Sequence, residues 1–95
     1  MPKAVVRGVG QFQKILGARE ISIEISEGTV LKSLITELDR RSDGQMGRYL
    51  FNESGARSDG VRIFLNGRDI RFLDKKETCL TGGDIILFLP VLAGG

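Results

Sequence analysis

A chain of 95 residues with a net charge of +2 suits one domain, is too short for a second, and is too weakly basic to argue for nucleic acid. No stretch approaches twenty apolar residues, and Met1-Pro2-Lys3 leads into an apolar run too short for a signal-peptide core, so no membrane partner is expected and the reading is cytoplasmic. One cysteine and no histidine exclude a disulfide framework and a histidine-based zinc site, and remove the usual general base.

From the start of the chain, Lys3 to Val9 alternates around Ala4, Val5, Val6 and Val9 and reads as a first strand. Gly8 and Gly10 mark a bulge or a close approach of backbone. Gly8-Val9-Gly10 is not a nucleotide-binding loop, because position 13 is Gln13 and no helix pattern opens there. Phe12, Ile15 and Leu16 then precede a turn at Gly17-Ala18-Arg19. Glu20 to Ser26 alternates strictly, with Ile21, Ile23 and Ile25 on one face, and predicts a second strand in a hairpin with the first.

Val30, Leu31, Leu34, Ile35 and Leu38 recur at helical spacing and predict one apolar stripe. Thr29 is the expected N-cap, since its hydroxyl can accept an unpaired first-turn N–H. Arg40 and Arg41 close the helix where positive charge suits the dipole, and Gly44 offers a left-handed stop. Ser42 to Gly60 shows no clear period and reads as a long loop, with Tyr49 to Phe51 as a short anchor beneath it. Within it, Asn52-Glu53-Ser54 fits a glycosylation sequon but reads as an ordinary polar loop. Between Arg40 and Arg71, seven arginines stand against four carboxylates. That local excess of three suits either a solvated surface or a face that steers toward acidic partners.

Val61 to Leu65 predicts a third strand, Asn66-Gly67 a hairpin turn in which both residues tolerate positive φ, and Asp69 to Leu73 the return strand. A turn-rich crossing runs from Asp74 to Gly83. Cys79, within it, reads as structural, although Lys75 and Lys76 lie near in sequence.

Ile85 to Leu89 is a continuous apolar run bounded by Gly82-Gly83-Asp84 and by Pro90, and predicts a buried last strand. Proline has no N–H for a ladder, so the strand is expected to end at or just before it. This divides the chain into a domain, 1–90, and a free tail, 91–95. Period-2 alternation separates Ile86 and Phe88, expected to face the helix, from Ile85, Leu87 and Leu89, expected to form an apolar patch. Glycine lacks a Cβ, so Gly94-Gly95 suits a narrow channel, and the group left to react is the carboxylate of Gly95.

The series Asn66-Gly67, Leu80, Gly83-Asp84, Ile85 to Pro90 and Val-Leu-Ala-Gly-Gly resembles the ubiquitin-like sulfur carriers. The likeness is greatest to the small subunit of molybdopterin synthase, with the thiamin-pathway carrier, the ubiquitin-related modifier and the archaeal modifiers as cousins. It covers most of the chain and is thin from Ser42 to Gly60. The tail has one proline, Pro90, where molybdopterin-synthase small subunits often have two.

The resemblance implies an α+β, β-grasp fold: a mixed sheet of four to five strands, the first and last parallel at its centre, with one main helix on one face. It also implies a carrier rather than an enzyme, with no bound cofactor and no metal. A ubiquitin-activating-type adenylyltransferase would use ATP to activate Gly95, and sulfur attack would leave a thiocarboxylate. Gly94 and Ala93 would enter the acceptor enzyme while Leu87, Leu89, Pro90 and Val91 dock. The acceptor would be the large subunit of molybdopterin synthase or another sulfur-accepting enzyme. Thiamin, cysteine synthesis and tRNA thiolation use the same kind of tail. So does a protein modifier conjugated to lysines, while a binding module with an inert tail and an enzyme built on Cys79 are further readings.

Overall fold

Strand alternation divides the molecule into an inner and an outer side. The structure is a computed structural model that describes residues 2–50, 61–70 and 78–90, with the backbone alone for 48–50. In Lys3–Gly8 (β1), Ala4, Val6 and Gly8 are buried while Lys3 and Arg7 are exposed. Val61–Leu65 (β3) buries Val61, Ile63 and Leu65 in the same rhythm. Glu20–Glu24 (β2), Arg68–Asp69 (β4) and Ile85–Pro90 (β5) complete a five-stranded sheet in the order β2-β1-β5-β3-β4. β1 and β5 are parallel at its centre, and the β1–β2, β3–β5 and β3–β4 pairs are antiparallel. This is the mixed α+β sheet that the resemblance implied.

Leu31–Arg41 (α2) lays Leu31, Leu34, Ile35 and Leu38 into one core with Val6, Ile23, Ile63, Ile86 and Phe88. Ile86 and Phe88 are fully buried, as the alternation predicted. Burying a side chain of that size contributes roughly 1.5–3 kcal/mol.

Two helices depart from the sequence reading. Gln11–Leu16 (α1) opens directly after Gly10, where no helix was expected. Phe12, Ile15 and Leu16 do sit at helical spacing, but one and a half turns are too short to display a period, and tertiary packing supplies the stability that an isolated helix of that length lacks. Phe12 is fully buried, its ring 5.9 Å from that of Phe88, and Gly17 ends the helix in the left-handed region. The exclusion of a nucleotide loop then rests on Gln13 and on a helix of six residues without a side-chain cap. Gly8 is a close approach: a Cβ there would lie 2.7 Å from the Phe12 carbonyl carbon.

Gln45–Leu50 (α3) occupies part of the expected long loop. Its first-turn N–H groups find partners on the end of α2, with Met46 N–H donating to Ser42 Oγ at 3.0 Å and Gly47 N–H to Asp39 Oδ1 at 2.7 Å. A Cβ at 47 would meet the same carboxylate oxygen at 2.7 Å, so a larger residue there would push the Asp39 side chain away from its Gly47 N–H partner. The return strand expected at Asp69 to Leu73 is instead the two-residue β4, which starts at Arg68 and which Ile70 has already left. The proposed anchor at Tyr49 to Phe51, the sequon at Asn52, the residues 71–77 and with them the Lys75-Lys76 pair lie outside the described side chains and residues.

Thr29 is not the N-cap of α2. Val30 holds that position with extended backbone, and no side chain caps the helix. Thr29 Oγ1 accepts the Ser26 N–H at 3.1 Å instead. The Leu31 N–H donates to the Thr78 carbonyl at 2.9 Å, and the Leu80 N–H to the Thr29 carbonyl at 2.8 Å. A backbone bridge between Val30 and Cys79 therefore does the capping that sequence assigned to a hydroxyl. The Cys79 side chain is exposed, so its place in the fold comes through its backbone rather than through a buried thiol. Arg40 and Arg41 close α2 as expected, both bound to Glu37. Those two hydrogen-bonded guanidiniums hold the Glu37 carboxyl down at about 2. Asp43 and Gly44 both take positive φ after the helix.

Candidate functional site

β5 carries the site because its two sides meet different neighbours. Ile85, Leu87 and Leu89 are half-buried on the outer face, opposite the fully buried Ile86 and Phe88. Register extends the patch across three strands: Val5 lies beside Ile85, Arg7 beside Leu87, Phe64 across from Leu87 and Arg62 across from Leu89. Phe64, Ile85, Leu87 and Leu89 line an open groove of about 630 Å³ whose rim includes Arg7 and Asn66. The patch is apolar at its centre and cationic at its edges, where Arg7 pairs with Glu20 at 3.0 Å and Arg62 with the buried Asp69 at 3.3 Å. Burial of Asp69 makes the Arg62 contact firmer than an exposed pair.

A polar clamp fixes where β5 starts. Asn66 and Gly67 both take positive φ, the pair of conformations a two-residue hairpin turn needs. Left-handed Asn66 then reaches β5: its Oδ1 accepts the Ile85 N–H at 2.9 Å, and its Nδ2 donates to Asp84 Oδ1 at 2.9 Å. Asp84 also accepts the Thr81 N–H at 2.8 Å and the Thr81 hydroxyl at 3.1 Å. Partial burial opposes ionisation of Asp84, but the hydrogen bonds from Thr81 and Asn66 outweigh it and hold the carboxyl below its ordinary value. The Asn-Gly and Gly-Asp pairs, separate in sequence, are one structural unit.

β5 runs to Pro90, the last described residue. Asn66 N–H donates to the Ile85 carbonyl, so residues 85, 87 and 89 exchange hydrogen bonds with β3, and the nitrogen of Pro90 faces the β1 side. Beyond Gly8, the Val9 N–H still donates to the Phe88 carbonyl at 3.2 Å, but the Val9 carbonyl that an N–H at position 90 would meet already accepts the Phe12 N–H at 3.2 Å. No ladder bond is lost, which is why proline is tolerated at the end of a central strand.

Of the residues assigned to docking and tail insertion, Leu87, Leu89 and Pro90 are thus brought together on β5. Val91, Ala93, Gly94 and Gly95, and with them the boundary between domain and tail, lie outside the described residues. Sequence reasoning missed Val5, Arg7, Arg62 and Phe64 as members of the patch. The alternation of Val61 to Leu65 separates Arg62 and Phe64 from the buried set, and would have flagged them once β3 was placed beside β5. Among the described residues no group of carboxylates and thiols could hold a metal ion, and no helix is long and apolar enough to cross a membrane.

Comparison with known proteins bears on the whole chain. The model of the ThiS family matches residues 6–95. Small archaeal modifier protein 3 of Haloferax volcanii is 28% identical over 90 residues, covering 95% of this chain and 96% of that protein. Sulfur carrier protein CysO of Mycobacterium tuberculosis is 31% identical over 71 residues, 74% of this chain and 76% of its own length. A solved structure from Pyrococcus furiosus, described as a putative molybdopterin converting factor subunit 1, superposes with a TM-score of 0.76 at 26% identity, covering 97% of this chain and all of that one.

Proposed function

The chain belongs to the ThiS family of ubiquitin-like sulfur carriers and modifiers, and from that premise we propose that its Gly95 carboxylate is activated and converted to a thiocarboxylate for sulfur transfer. The observation that carries this reading is the apolar patch on β5, which ends at Pro90 and is followed in sequence by Val91-Leu92-Ala93-Gly94-Gly95. The patch gives a partner something to hold, and the slender tail suits a channel.

The carboxylate oxygen of Gly95 attacks the α-phosphorus of ATP on an adenylyltransferase, and pyrophosphate leaves. A sulfide-level donor attacks the acyl carbon, AMP leaves, and the thiocarboxylate remains. Leu87, Leu89, Pro90 and Val91 dock while Ala93 and Gly94 thread the channel of the acceptor, for which the large subunit of molybdopterin synthase is the first choice. No side chain of the carrier needs to act as base or metal ligand in this scheme. The chain is the substrate of its partners, and the chemistry is theirs.

Intact-mass measurement of the protein incubated with the host's adenylyltransferase, ATP and a sulfur donor tests the proposal. A gain equal to one oxygen replaced by sulfur, located on Gly95 by fragmentation, is the expected result. An unchanged Gly95 after that incubation would overturn it.

A second reading is favoured by the relative that spans nearly the whole chain and is named a modifier. In it, a lysine amine attacks the same acyl-adenylate, expels AMP and forms an isopeptide bond. The last Lys or Arg in the sequence is Lys76, so trypsin would leave residues 77–95 as a branch on the acceptor lysine. Finding that branched peptide in host digests would establish conjugation.

A further inference from the structure

We propose that the free edge of β2 is a second docking site, separate from the β5 patch, which takes an extended segment of another protein carrying cations at positions i and i+4 and apolar residues at i+1 and i+3. Among the described residues β2 is the outermost strand on its side of the sheet. Gly8 N–H donates to the Arg19 carbonyl and Ile25 N–H to the Pro2 carbonyl, and the residues paired with β1 between them are Ile21 and Ile23. The backbone N–H and C=O groups of Glu20, Ser22 and Glu24 therefore point outward, available to an added strand.

Both sides of such a strand would meet suitable chemistry. On the helix side, a groove of about 550 Å³ runs between β2 and α2, floored by Ile23, Ile25 and Leu34 and walled by Thr29 and Ser33, with Lys3 and Arg41 at its ends. Glu37, at its rim, is already neutralised by Arg40 and Arg41. Apolar side chains at i+1 and i+3 would enter it. On the outer face, Glu20 and Glu24 are exposed four residues apart, with Ser22 between them. Each already has a cation across from it on β1, Arg7 opposite Glu20 and Lys3 opposite Glu24, and Glu24 makes no ion pair among the described residues. Cations at i and i+4 of the incoming strand would place each carboxylate between two positive charges.

The same charges disfavour a second copy in the register that pairs the most of β2. Antiparallel pairing of β2 with itself about Ser22 would set Glu20 against Glu24 twice, and like charges directly opposite are destabilising. The edge is guarded against itself and open to a basic strand.

The test titrates the capped peptide Gly-Ser-Lys-Val-Thr-Val-Lys-Ser-Gly into the isotopically labelled full chain and follows backbone amide resonances. Expected are shifts centred on Ser22, Ile23 and Glu24 and reaching Leu34, weakening as salt is added. The E20K/E24K variant should lose affinity at least about tenfold for this peptide, and gain it for the peptide with both lysines replaced by glutamate. Both positions are exposed, and the E20Q/E24Q variant, which sets no cation against Arg7 or Lys3, should show the same loss for the lysine peptide in a folded protein. Shifts confined to the Leu87 and Leu89 face, equal binding of the two peptides, or no shifts at millimolar peptide would each overturn the proposal.

Discussion

β5 buries Ile86 and Phe88 completely while Ile85, Leu87 and Leu89, of similar size and hydropathy, remain half-buried on the opposite side. The inner side is closed by α1 and α2, whose Phe12, Leu31, Leu34 and Leu38 fill it. The outer side meets no comparable layer among the described residues and is rimmed by Arg7 and Arg62. Equal hydrophobicity therefore has unequal consequences: apolar residues contribute stability where a helix covers them and binding capacity where nothing does.

Substitutions can break this contrast. Phe88→Ala removes a fully buried ring packed on Phe12 and should cost about 3–5 kcal/mol, read as a lower midpoint in denaturant unfolding. Gly8→Ala attacks the same side by addition. Its Cβ would press on the backbone of Phe12, so about 1–3 kcal/mol is expected together with displaced resonances for α1.

Asp84→Asn touches the point where β5 enters the sheet and should cost about 1 kcal/mol at neutral pH. The sign with pH is fixed by the direction of the shift. Asp84 has its carboxyl held below the ordinary 3.8, so its contribution is complete above the unfolded value and is lost as pH falls through the folded one. Glu37, held at about 2 against an ordinary 4.5, adds a smaller and salt-sensitive contribution over the same acid range. The Asp84→Asn variant should therefore lose stability less steeply than the parent below about pH 4, as followed by thermal melts.

Leu87→Ala is the converse of Phe88→Ala. Only partly buried, Leu87 should cost about 1–2 kcal/mol in stability, less than Phe88, yet weaken docking to the adenylyltransferase about tenfold, measured as a raised KM for the carrier. A variant that unfolds the protein, or one that leaves the KM unchanged, would collapse the distinction between the two sides.

Local pattern alone determined much of this protein. Strict alternation at Glu20 to Ser26, the apolar stripe from Val30 to Leu38, Asn66-Gly67 and the run from Ile85 to Pro90 each name an element, because period and φ preference act within a few residues. Gly83-Asp84 and the diglycine placed the chain near its family for the same reason. Tertiary structure decided the rest. The helix at Gln11–Leu16 exists because Phe12 is taken into the core beside Phe88, and the helix at Gln45–Leu50 because Asp39 and Ser42 accept its first N–H groups. Thr29 loses its capping role to a carbonyl from the far end of the chain, at Thr78. Val5, Arg7, Arg62 and Phe64 join the patch only through strand register, a relation between segments far apart in sequence. Periodicity tells which side of a strand is apolar, but which side is covered depends on what packs there, and that is settled only when the whole chain has closed around its core.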